Sequence, residues 1–203
     1  MKSLLYIALF FSLCSCFQNK EPLVGDTPFQ MALNSSFKDA SKSPLKKKDR
    51  KVFKGLDFFE VDSAYIVKAK LTRTPDSTYF EMPTTTDRMS KERVFGIVNF
   101  KIKDQDFELK IYESEDLLEE EGPRDYLFLP FLDLTNGGST YGGGRYIEVP
   151  INNKKTDTSI TIDFNTAFNP YCAYNEKYSC PIVPRANFLN TEIKAGVKAF
   201  EKH

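Results

Sequence analysis

Beyond residue 52 the apolar positions alternate along the chain. Tyr65, Val67, Ala69 and Leu71 share one parity, with Ile66, Lys68 and Lys70 between them. Phe107, Leu109 and Ile111 alternate in the same way with Glu108, Lys110 and Tyr112. A period of two puts one set on the core face of a strand and the other toward solvent. The same reasoning places strands near Leu56–Val61, Thr78–Met82, Arg93–Ile102, Tyr126–Leu134, Arg145–Ile151 and Ser159–Phe164. Tyr126–Leu134 (YLFLPFLDL) is apolar at both parities, which predicts a central strand covered on both faces. Pro130 within it has no N–H to give a ladder and argues for a bulge or an edge there. Short strands separated by turn residues predict a mainly β fold, an antiparallel β-sandwich or partly closed barrel.

The period differs nearer the N-terminus. From Asp26 a helix is expected, with Asp26 or Thr27 as cap and Pro28 at the first position. Phe29, Leu33, Phe37 and Ala40 then recur at helical spacing. Ser41–Lys51 reads as a linker, and its mixed run Lys46–Lys51 as a solvated loop rather than a phosphate or headgroup contact. Four segments result: a signal peptide at 1–15, a lipidated tether at 16–25, a helix and linker at 26–51, and a single β-rich domain at 52–203.

The first sixteen residues carry an address. Lys2 is followed by the apolar run Leu4–Leu13 (LLYIALFFSL), long enough for a signal-peptide core and too short to span a bilayer. The run ends in Leu13-Cys14-Ser15-Cys16, a lipobox with small Ser15 before the cut. Cys14 cannot be the modified residue because bulky Leu13 precedes it. Cys16 is therefore the expected lipidation site, and more than one acyl chain is what stable attachment requires. The membrane, reached through Cys16, is the expected partner. Phe17 follows where an inner-membrane retention aspartate would stand, and no acidic run follows for surface display. The expected location is the cell envelope, at the outer membrane facing the periplasm.

Composition narrows the chemistry. Hydrophobic residues make up 41%, with 18 Phe and 10 Tyr, enough to bury a core. Charge balances at 28 basic and 28 acidic residues, so no net field draws in nucleic acid, and none is expected as a partner. Glu119-Glu120-Glu121-Gly122-Pro123 reads as an exposed turn. The one histidine is His203, at the chain end. A serine or cysteine triad and a histidine-ligated metal centre are thereby disfavoured, and no metal or cofactor is expected. Any catalysis would run on carboxylates, Tyr, Lys or Arg.

Candidate chemistry concentrates between Asp133 and Asn187. The loop Asn136–Tyr146 holds five of the ten glycines. It lacks the lysine and following helix of a phosphate loop, so a tight strand connection is the better reading. Arg145 is in phase with apolar Ile147, Val149 and Ile151, which points it to the core. There it needs a carboxylate or several carbonyls, and Asp133 and Asp163 are the candidates in sequence. A buried structural ion pair is favoured over a catalytic one. Further on, Cys172 and Cys180 are the thiols left once Cys14 is removed and Cys16 lipidated. In an oxidising compartment an even pair reads as a structural disulfide, with a redox pair disfavoured by the spacing and zinc by the lack of further ligands.

Four stretches together resemble a known family. They are Phe53–Asp62 (FKGLDFFEVD), Leu127–Tyr146 (ending FLDLTNGGSTYGGGRY), Ile162–Ala173 (IDFNTAFNPYCA) and Cys180–Asn187 (CPIVPRAN). In order and spacing they resemble the bacterial domain-of-unknown-function family 1684. The family's glycine-glutamate-lysine ending has its counterpart in Gly196-Val197-Lys198, with valine for the glutamate. The resemblance implies a shared β-rich fold and a shared polar cluster, with no activity, substrate or cofactor attached. The cluster comprises Asp133, Tyr141, Arg145, Tyr146, Asp163, Asn165, Asn169 and Asn187.

Three functions fit these residues. The chain is a scaffold or interaction subunit of the envelope whose cluster locks the fold. Nearly level with it stands a periplasm-facing module that binds a small polar or anionic ligand at the cluster. A hydrolase working through Asp133 and Asp163 ranks behind both, since no activated nucleophile or tuned base is visible.

Overall fold

A computed structural model describes residues 24–115, 126–150 and 158–200. The signal segment with Cys16, the turn at 119–123, Ile151 and His203 lie outside the described residues. The chain builds helices α1 (Pro28–Lys38) and α2 (Lys47–Val52). Among the described residues eight strands follow: β1 (Ile66–Arg73), β2 (Phe80–Pro83), β3 (Met89–Ile102), β4 (Gln105–Ser114), β5 (Tyr126–Asp133), β6 (Arg145–Pro150), β7 (Ser159–Asp163) and β8 (Phe188–Leu189).

The strands form one sheet in the order β6-β5-β4-β3-β1-β7, with β2 added to β3 and β8 to β5. Pairing is antiparallel except between β5 and β8. The sheet curls into a half-barrel. Its two edges, β6 and β7, come into contact without hydrogen-bonding as neighbours. The fold is thus the mainly β, partly closed barrel that period-two patterning predicts.

Local sequence explains the long hairpin. β3 and β4 pair from Glu92↔Ser114 to Ile102↔Gln105 and are joined by Lys103 and Asp104, both at positive φ (49° and 65°). A two-residue turn with both centres left-handed matches the natural twist of the flanking strands. Along β1 exposed and buried residues alternate, as read from the sequence. Ala69, Val98, Leu109, Ile111, Leu129, Phe131, Ile162 and Phe164 meet in the half-barrel interior. The Phe164 ring stands 5.3 Å from Phe131 and 5.7 Å from Phe100. Burying each large apolar side chain contributes roughly 1.5–3 kcal/mol.

β5 does lie between neighbours, and Pro130 is accommodated in an unexpected way. Its pairing with β4 is reduced to Tyr112↔Phe128. Beside the gap, the Asn187 side chain donates to Pro130 O at 2.7 Å and Lys110 O at 2.8 Å, and accepts from Lys110 N at 3.0 Å. A side-chain amide thus stands in for the backbone ladder that a proline interrupts.

Two elements differ from the sequence reading. Leu56–Val61 is not a strand; it makes one bridge, Phe58↔Val197, to the extended C-terminal segment. The linker contains α2, and Asp49 in its charged run is buried. α1 is capped by Thr27, which accepts from Gln30 N, as its Thr-Pro start predicts. It buries Gln30 and Asn34 as well as Phe37. Asn34 explains this: it donates to Val24 O at 2.8 Å and accepts from Leu56 N at 2.7 Å, tying the helix to the following chain. Phe37 and Leu45 complete a second apolar cluster with Leu56, Tyr174 and Val197.

Candidate functional site

Arg145 opens β6 opposite Phe131 of β5, and both it and its partner Asp133 have fully buried side chains. Nη2 donates to Asp133 Oδ2 at 2.9 Å and to Ile193 O at 2.7 Å. Nη1 donates to Ala195 O and to Val197 O. These carbonyls come from alternate residues of the C-terminal segment, which bends at Gly196 (φ 75°), and one planar guanidinium collects all three. The other carboxylate oxygen, Asp133 Oδ1, accepts from Thr135 N (2.8 Å), Thr135 Oγ1 (2.5 Å) and Ile193 N (3.3 Å). Burial pulls the Arg145 pKa below its ordinary value, and the neighbouring Asp133 opposes that shift. Among the described residues only the Arg145 Nε lacks a hydrogen-bond partner in this pair. The knot pins the C-terminal segment across the end of the half-barrel.

Asp163, the other expected partner, belongs elsewhere. Its Oδ1 accepts from the N and Nδ2 of Asn165 at 2.9 and 2.8 Å. Asn165 in turn exchanges hydrogen bonds with the backbone of Asp62, at 3.0 Å each. This clip joins the end of β7 to the entry of β1. Asp133 and Asp163 therefore do not form a facing pair of carboxylates.

The remaining cluster residues are also dispersed. Asn169 donates to Lys198 O at 2.9 Å and to the Tyr174 hydroxyl at 3.3 Å. Tyr146 donates to Pro181 O, and burial drives its pKa upward. Asn187 serves the sheet at Pro130. The Gly-rich loop satisfies itself: Asn136 accepts from Asp133 N at 2.7 Å and donates to Thr140 Oγ1 and Tyr141 O. At Gly144 (φ +90°) a Cβ would lie 2.7 Å from Phe131 O, so the close turn requires glycine. The loop is a tight strand connection.

Tyr141 leads to a different corner. Its hydroxyl lies 3.9 Å from Cys172 Sγ, and burial and the neighbouring Cys172 raise its pKa to about 12. Cys172 and Cys180 are free thiols, with Cys172 N donating to Cys180 Sγ at 3.3 Å. The pairing read from sequence is thus present as a contact between two thiols, not as a bond. Cys180 is buried and held on the β2–β3 connection: Thr85 N donates to Cys180 O at 2.9 Å, and Cys180 N to Thr85 Oγ1 at 3.1 Å. Cys172 is half-buried on the short turn Tyr171–Ala173. Hydrogen bonding from the Cys180 thiol lowers the Cys172 pKa to about 6, aided by the Thr85 and Tyr141 hydroxyls and opposed by burial. The same contact, with burial, pushes Cys180 up. Thr85 was not legible as a partner, since it sits in a plain Thr-Thr-Thr run far away in sequence.

A groove of about 350 Å³ lies where the two sheet edges meet, lined by Phe29, Ile147, Val149, Thr161, Asp163 and Phe168 among others. Its walls are mostly apolar, with the acidic residues Asp163 and Glu148 also on its lining. No group of three or more metal-ligating side chains occurs among the described residues.

No curated protein matches the chain. The solution NMR structure of an uncharacterized protein of Haloarcula marismortui is similar, with a TM-score of 0.67 and 30% identity. The match covers 86% of this chain and 92% of that one. A family model described as a protein of unknown function, DUF1684, matches residues 51–198, which include the half-barrel, the Arg145–Asp133 knot and both cysteines. The chain belongs to the DUF1684 family.

Proposed function

We propose that this chain is an envelope lipoprotein, cut before Cys16, anchored through it at the outer membrane facing the periplasm, and acting as a scaffold or interaction subunit. The observation that carries the scaffold reading is the sealed Arg145–Asp133 knot. Both charged side chains are fully buried, and all their polar atoms except Arg145 Nε are bonded within the protein itself. The anchor rests on Leu13-Cys14-Ser15-Cys16 after an apolar signal core. Under the same reading Cys172 and Cys180 close into a disulfide on export. Expression with labelled palmitate tests the anchor: wild type takes up label and fractionates with membranes, and Cys16→Ala does neither. A Cys16→Ala protein still in the membrane fraction, with no label on wild type, sinks the anchor.

A binding module is the second reading, and the groove between β6 and β7 favours it. Its apolar walls and the Asp163 carboxylate suit an apolar ligand carrying a cationic or donor group, rather than the anion the Gly-rich loop suggests. A thermal-shift screen of hydrophobic amines against wild type and Asp163→Ala separates the readings. A ligand that raises the wild-type melting point alone supports a site, by mass action.

A further inference from the structure

The Cys172–Cys180 corner brings together two free thiols, one half-buried and one buried. The two sulfurs are neighbours although the residues stand eight apart, and they are held by different elements. Cys180 is fixed by reciprocal bonds to Thr85, and the chain on either side of it is fixed too: Ser179 Oγ meets Thr84 Oγ1 at 2.7 Å, and Ile182 N donates to Pro83 O at 2.8 Å. Cys172 rides on a one-turn helix with its sulfur beside the Tyr141 hydroxyl. A half-accessible sulfur surrounded by hydroxyl and thiol hydrogens is stabilised as thiolate, the nucleophilic form; a buried sulfur behind it reacts more slowly with external reagents and faster with its neighbour.

We propose that Cys172 and Cys180 form a reversible dithiol–disulfide couple, in which Cys172 exchanges with external small-molecule disulfides and Cys180 resolves the adduct. The inference rests on the bridge proposed above and adds that this bridge opens and closes. Cys172 thiolate attacks one sulfur of RSSR; the S–S bond of RSSR breaks, RS⁻ leaves with its electron pair and takes a proton from solvent. The Cys172–S–S–R adduct is then attacked by Cys180, whose thiol proton passes to the second RS⁻ as it departs. One RSSR becomes two RSH, and two electrons pass from the protein to it. In reverse, an external thiolate attacks Cys172, the accessible sulfur of the bridge, and Cys180 leaves with the electron pair and takes a proton; a second external thiolate then attacks the R sulfur of the adduct, releasing RSSR and the Cys172 thiolate. The depressed Cys172 pKa supports its role as the attacking sulfur, because more of it is thiolate at neutral pH.

The test uses the full-length lipoprotein in detergent, equilibrated with reduced and oxidised glutathione, quenched with acid and alkylated, with the modified residues located by peptide mapping. Wild type should pass between dithiol and bridge in both directions as the glutathione ratio changes. Cys180→Ser, given oxidised glutathione, should accumulate the adduct on Cys172; Cys172→Ser should form its adduct on Cys180 about ten-fold more slowly. Adducts forming equally fast at both positions overturn the assigned roles. A bridge that forms but does not reopen in excess reduced glutathione in the native protein overturns the exchange while leaving the disulfide of the preceding reading intact. Absence of any bridge under oxidising conditions removes both.

Discussion

The Arg145–Asp133 knot and the Cys172–Cys180 corner come from the same polar stretch of sequence, yet they are built on opposite plans. In the knot, both side chains are wholly buried, and three alternate carbonyls, Thr135 and the Ile193 N–H take up the hydrogen bonding of every polar atom but Arg145 Nε. In the corner, one sulfur is half-buried, and its surroundings favour its charged form without sealing it away. A buried charge whose every neighbour is protein holds the fold together and has nothing left to give. A partly open thiol beside donors retains reactivity. The number of protein partners per polar atom, more than residue type, separates a lock from a site.

The sharpest way to break this contrast is Arg145→Ala. It strands buried Asp133 and three carbonyls, and should cost on the order of 3–5 kcal/mol in denaturant unfolding. A loss below about 1 kcal/mol, in the range of an exposed pair, would mean that the knot is not a lock. Asn187→Ala should follow at roughly 1–3 kcal/mol, because Lys110 N–H and the Pro130 carbonyl lose a buried partner. Wild-type-like melting would show that β4 and β5 close without it.

The corner is read by alkylation. Its rate at Cys172 should rise as pH increases through about 6 and then level off, since only the thiolate reacts. A rate still climbing toward pH 9 would place the thiol at its ordinary value and remove the contrast. The smallest effect belongs to Asp163→Asn. Asparagine can still accept from Asn165 N at this half-buried cap, so the change should stay within about 0.5 kcal/mol. A loss as large as that of Arg145→Ala would show Asp163 to be part of the lock after all.

Much of the half-barrel was legible because it follows from neighbours in the chain. Alternation in Tyr65–Leu71 and Phe107–Tyr112 gave β1 and β4, and Thr27-Pro28 marked the start of α1. Where the pattern misled, a distant partner was responsible. Leu56–Val61 alternates like a strand, but its one strand-like bridge is to the C-terminal segment, Phe58 to Val197. Asn34 and Asp49 are polar and local patterning sends them to solvent, yet both are buried. Asn34 is recruited by Leu56 N–H, twenty-two residues away.

Strand phase alone determined that Arg145 enters the core, because a residue in register with Ile147 and Val149 shares their face. Which carboxylate receives it was beyond reach of phase: Asp133 and Asp163 are both plausible in sequence, and only the path of β5 brings Asp133 to the guanidinium. The same division holds for the thiols. Their number and separation are written in the chain, but the lowered pKa of Cys172 depends on contact with the Cys180 thiol and on the hydroxyls of Thr85 and Tyr141, carried in from other loops. Backbone sterics and side-chain alternation act between neighbours and can be read one residue at a time. Burial, hydrogen-bond partners and the fields that shift a pKa arise from atoms far apart in sequence, and exist only once the sheet has curled.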